Sequence, residues 1–102
     1  MERTIKPEAF NPGDALVIDV RREADYAVSS EAIPGASWKN PEQIDTWIAD
    51  MPKTRDVVIY CVRGGGVSNS VVDRLQSEGI NARFIEGGIE GYKAAGGKIA
   101  GK

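Results

Sequence analysis

The chain has 102 residues, a formal net charge of −2, 41% hydrophobic and 27% charged residues, which is the size and balance of one globular domain, 1–102, with a single core. It has no basic stripe to attract nucleic acid or an anionic membrane, and no apolar stretch of the ~20 residues that a membrane span needs. Histidine is absent and cysteine occurs once, so a Cys-His dyad, a His-containing metal site, an internal disulfide and a resolving-cysteine cycle are all excluded within this chain, and no metal or cofactor is expected.

The segment Met1 to Pro7 lacks the apolar core of a signal peptide, and a cytoplasmic protein is expected. Pro7, Pro12 and Gly13 punctuate the first fifteen or so residues, predicting a short strand near Thr4-Ile5 and then a turn. The apolar run Leu16 to Val20 predicts a strand buried on both faces, followed by a brief helix over Arg22 to Ala27. Asp19 interrupts that run. A carboxylate near a strand end is expected to accept loop N–H groups or to pair with an arginine, Arg21 being placed to do so, rather than to catalyse. Val28 to Ala36 reads as a loop and Ser37-Trp38 as a short strand. Next, Asn40 suits an N-cap, Pro41 the first helical position and Gln43 a capping box. Ile44, Trp47, Ile48 and Met51 recur at i, i+3, i+4 and i+7 before Pro52, so one amphipathic helix is predicted, with Trp47 in the core rather than on a ligand.

Val57-Val58-Ile59-Tyr60 is a further apolar, β-branched run, and Cys61 ends it. Val62, Arg63, Gly64, Gly65 and Gly66 come next; then Val67, Val71, Val72 and Leu75 recur at helical spacing. The unit reads as strand, cysteine, glycine-rich loop, helix. Glycines let such a loop curl so that its N–H groups converge beside the positive end of the helix dipole. A cysteine held there is favoured as thiolate, the nucleophilic form. A free cysteine can also be a small buried hydrophobe, but the glycine turn into a helix is how anion sites are built, and it favours chemistry. Arg63, the one charged side chain in the loop, is expected to draw an anion to the pocket mouth. Tyr60, on the opposite face of its strand from Ile59 and Cys61, is assigned to the core.

Gly79 is expected to close the helix in a Schellman motif, bringing Ile80 onto Leu75. Arg83 to Ile85 predicts a strand, Glu86 to Gly88 a turn, and Ile89, Tyr92 and Ala95 a last helix ended by Gly96-Gly97. Lys98 to Lys102 is expected to fray. Apolar strands alternating with helices imply an α/β fold, a mainly parallel sheet covered on both faces, with its site at the carboxyl ends of the strands. Cys61, Asp19 to Arg22 and Glu86 to Gly88 all fall at such ends.

Four pieces in this order resemble a single-domain rhodanese, the thiosulfate sulfurtransferase-like family: Val17 to Arg21, Ile33-Pro34-Gly35-Ala36, Val58 to Cys61 with the glycine loop, and Glu86 to Tyr92. The segment Ile33 to Met51 and the loop Cys61 to Gly64 are similar to rhodanese domains associated with chromate-resistance loci. There are departures: Ala32 stands where the family often has histidine, Tyr92 where tryptophan is common, and Gly65 and Gly66 where relatives often carry polar or charged side chains. These leave the fold in place and bear on substrate choice. The resemblance implies that Cys61 attacks the sulfane sulfur of thiosulfate or a similar small anionic donor, becomes a persulfide, and passes the sulfur to cyanide in assay or to a thiol physiologically, a protein acceptor included. Loop residues 62–67 would bind the anion, with Asp19, Arg21 and Ser68 in support. Two rivals differ from this. A Cys-x5-Arg phosphatase or arsenate reductase needs an arginine where this chain has Val67. A non-catalytic binding or sensing module would not need Cys61.

Overall fold

A computed structural model describes residues 2–102. Five strands form one parallel sheet: β1 (Thr4–Ile5), β2 (Leu16–Asp19), β4 (Ser37–Trp38), β5 (Val57–Tyr60) and β6 (Ala82–Ile85), in the order β1-β6-β5-β2-β4. The most apolar runs, β2 and β5, take the interior of the sheet. The two-residue strands lie at its edges, where short strands limit unwanted pairing. Alternation divides the core into two layers. Ile18, Val20, Val57, Ile59 and Phe84 pack on one face beneath α2 (Ile44–Trp47) and α3 (Gly66–Ser77), against Trp47, Val72 and Leu75. Val17, Val58, Tyr60 and Ile85 pack on the other, beneath α4 (Gly88–Ala94), against Phe10, Ile33, Ile89 and Tyr92. The fold is therefore the α/β sandwich that the apolar strand runs imply. No helix among the described residues is long and apolar enough to cross a membrane.

Local chemistry sets the element ends. At the end of α3 the N–H of Ile80 reaches Leu75 O (3.1 Å) and that of Gly79 reaches Gln76 O (3.0 Å), with Gly79 at φ +81°. That is the Schellman closure expected of Gly79. Gly96 and Gly97 end α4 in the same way, donating to Lys93 O and Tyr92 O.

Four expectations are corrected. The helix expected over Asn40 to Met51 is instead a 3-10 turn (Pro41–Gln43), α2 and a second 3-10 turn (Ile48–Asp50). Asn40 caps Glu42 N at 3.0 Å without a reciprocal bond from Gln43, and β-branched Ile44, Thr46 and Ile48 favour the α-helix weakly. Trp47, Ile48 and Met51 are buried all the same, so the apolar stripe packs as its spacing implies. The loop Val28 to Ala36 contains a strand, β3 (Glu31–Ala32), and the tail does not fray: β7 (Ala100–Gly101) pairs with β3 antiparallel, and Lys102 N donates to Ser30 O at 3.0 Å. The brief helix α1 is Glu23–Val28, one residue later than expected.

Candidate functional site

Cys61 is the first residue beyond β5, on the α3 side of the sheet, and is buried with 6% of its surface exposed. Ser68, fully buried in the first turn of α3, donates its hydroxyl to the Cys61 sulfur at 3.0 Å. The helix thus places a hydrogen-bond donor directly on the sulfur. Over the sulfur lies a pocket of about 460 Å³, lined by Cys61, Val62, Arg63, Gly65, Gly66 and Val67 from the loop and by Arg21, Arg22 and Asp25 from the chain after β2. The N terminus of α3 carries no side-chain cap, and the N–H groups of residues 62–68 donate to no acceptor among the described residues. Backbone donors without partners at the positive end of a helix form a ready site for an anion.

The glycine loop is built differently from the expectation that all three glycines supply unusual dihedrals. Gly64 alone has a positive φ, +70°, and a β-carbon there would lie 2.9 Å from Gly87 N and 3.0 Å from Ile85 O. Gly65 and Gly66 have negative φ and open space around them. Gly64 does not line the pocket; it seats the loop on the turn after β6. That turn grips back: Ile89 N donates to Cys61 O (2.9 Å), and a β-carbon on Gly88 would meet that oxygen at 2.4 Å. Glu86 to Gly88 is accordingly the platform beneath the loop rather than part of its lining. Gly64→Ala is expected to cost at least about 2 kcal/mol from backbone strain and close contact. Gly66→Ala, in the first helical turn, should be neutral or up to about 1 kcal/mol stabilising. Urea melts of the two variants check this; equal losses would place the constraint elsewhere.

Arg21, in the pocket wall, and Asp19, with 2% and 1% exposed, form a closed pair: Arg21 Nη2 donates to Asp19 Oδ2 at 2.7 Å and Arg21 Nε to Oδ1 at 3.0 Å. Asp19 Oδ1 also accepts from Arg21 N (3.0 Å), and Oδ2 accepts from the Tyr60 hydroxyl (3.1 Å), which itself accepts from Ile33 N (3.2 Å). Burial works against the guanidinium charge, but the hydrogen bonds and charge of Asp19 outweigh it, and Arg21 is held above its usual pKa. Burial, then the Asp19 charge, push the Tyr60 hydroxyl well above its usual value, so it stays a donor. The guanidinium also lies over two aromatic rings, 5.3 Å from that of Tyr26, which is stacked on Trp38 at 4.8 Å, and 5.7 Å from that of Tyr60.

Sequence reasoning assigned Tyr60 to the core alone and missed Tyr26 and Asp25. The pairing of Asp19 with Tyr60 follows from the parallel register of β2 and β5, which a residue pattern does not specify. At the pocket itself, Arg22 and Arg63 have no ion-pair partner among the described residues, against one carboxylate, Asp25.

The family model described as Rhodanese-like domain matches residues 7–95. A rhodanese-related protein from Thermoplasma volcanium superposes with a TM-score of 0.85 over 96% of this chain and 97% of that one, at 20% identity. A rhodanese-like domain protein from Staphylococcus aureus does so at 0.74, covering 88% and 90%, at 24% identity. Among curated proteins, a tRNA 2-selenouridine synthase from Shewanella frigidimarina is 33% identical over 73 residues, 72% of this chain. The chain spans about a fifth of that relative's length, 19%.

Proposed function

We infer that this chain, which belongs to the rhodanese-like domain family, is a sulfurtransferase whose carrier is Cys61. The observation that supports this most is the sulfur's setting: a lone cysteine with Ser68 bonded to it, beneath a loop and helix terminus whose N–H groups of residues 62–68 are free. The Cys61 thiolate attacks the outer sulfur of thiosulfate, the S–S bond of the donor breaks, and sulfite leaves with the bonding pair. The persulfide anion then takes the free donors, fixed dipoles that need no reorganisation. A thiophile attacks the outer sulfur and Cys61 leaves again as thiolate: cyanide in assay, a cytoplasmic thiol, small or on a protein, in the cell. The likeness to part of a tRNA 2-selenouridine synthase fits the handling of a group-16 element.

Mass spectrometry tests the reading. Thiosulfate should add one sulfur to the protein and cyanide should remove it as thiocyanate; an unchanged mass would leave the non-catalytic module as the better account. Arg63 lines the pocket unpaired, so Arg63→Ala should raise the KM for thiosulfate about threefold to tenfold with a smaller change in kcat. The effect should shrink by about 0.5 M salt, as an exposed charge is screened. An unchanged KM at low salt would make Arg63 a surface residue only.

A further inference from the structure

A second hollow, of about 580 Å³, adjoins the sulfur pocket, and the two share Arg22, Gly66 and Val67. The first turn of α3 is therefore a wall common to both. Gly66, Val67, Ser70, Val71 and Arg74 line the second hollow from one face of α3, a length of about 12 Å at the helical rise. Its floor is apolar, with Ile44 from α2 facing Val67 and Val71. The charges are unevenly placed, and Glu42 is the one carboxylate of the lining. Arg74 is neutralised by Asp45, Nη2 to Oδ1 at 2.5 Å, whereas Arg22, where the two hollows meet, has no ion-pair partner among the described residues. A groove that offers a free cation where it opens into the sulfur pocket, and apolar surface beyond it, exceeds what thiosulfate or cyanide can use.

We propose that this groove selects the sulfur acceptor: an organic thiol with a carboxylate close to its sulfur, met by Arg22, and an apolar chain lying over Ile44 and Val71. An N-acylated cysteine has this shape. The proposal rests on the persulfide reading of Cys61. The acceptor thiolate attacks the outer sulfur of the Cys61 persulfide; the new S–S bond forms as the Cys61 S–S bond breaks, and Cys61 leaves with the electron pair as thiolate. The acceptor departs as its own persulfide, any thiol proton having gone to water, with no net oxidation.

The test loads the protein with thiosulfate and follows discharge by mass with N-acetyl-, N-butanoyl- and N-hexanoylcysteine, their methyl esters, and cyanide. Discharge by the acids should saturate, with the half-saturating concentration falling about twofold to threefold per added methylene in a half-open groove. The esters should need about tenfold more, and Arg22→Gln should erase that preference. Ser70→Trp, on the exposed face of α3, should slow the hexanoyl acceptor at least tenfold more than it slows cyanide. Equal, unsaturable discharge by every thiol overturns the proposal alone and needs no variant. Failure of thiosulfate to load Cys61 overturns this proposal and the sulfurtransferase reading together.

Discussion

Cys61→Ser is expected to lower thiocyanate formation from thiosulfate and cyanide by at least about 10³-fold, in line with the cost of removing a covalent nucleophile elsewhere. Two properties of sulfur are lost at once. A serine hydroxyl does not ionise near neutral pH, and its oxygen does not form the stable sulfane adduct that stores the transferred atom. The fold should survive, because the change is nearly isosteric and the neighbour is itself a hydroxyl: Ser68 Oγ, 3.0 Å from the sulfur, can bond the serine oxygen instead. A melting temperature within about 5 °C of the parent, equivalent to roughly 1 kcal/mol, is expected. The variant should also take no sulfur from thiosulfate by mass. Retained thiocyanate formation in a folded Cys61→Ser protein would end the persulfide mechanism, since no other cysteine exists to carry it.

The parts of the fold legible in the sequence are those in which side-chain chemistry and backbone geometry agree. Val57 to Tyr60 reads as a strand buried on both faces because each face has an apolar layer to meet. Gly79 reads as a helix end because its positive φ suits glycine. The β3–β7 pairing gives no such signal: Ala100-Gly101 makes its bonds through the main chain and contributes no apolar pattern. The segment after Asn40 carries a clear helical stripe but little helix propensity, and the stripe predicts its packing better than its hydrogen bonding. At the site, composition points to Cys61 and to the glycines as a group. Which glycine is indispensable depends on contact with the turn after β6, a long-range fact that the Gly64-Gly65-Gly66 triplet does not disclose. Tyr60 is a similar case. Its ring belongs to the core, while its hydroxyl belongs to the polar network behind the pocket.

That network should yield the largest loss of stability. Asp19→Ala is expected to cost about 3–5 kcal/mol, because it strands a buried guanidinium that cannot lose its proton. Arg21 would keep only its bond to Glu31 O (3.0 Å), and the Tyr60 hydroxyl, which now donates to Asp19, would lose its acceptor. Against a total of about 5–15 kcal/mol for a domain of this size, such a loss would move the melting temperature down by about 15–30 °C. Asp19→Asn should fall between, since the amide oxygen can still accept a hydrogen bond but the charge is gone. Adding Arg21→Met to Asp19→Ala should restore part of the stability by removing the stranded charge, a non-additivity that a double-mutant cycle reads directly. Activity should take a different course. Arg21 lines the sulfur pocket, so the stabilised double variant should still bind thiosulfate less well. Strictly additive losses in the cycle would mean that Asp19 and Arg21 act separately, and would remove this pair as the anchor of the pocket wall.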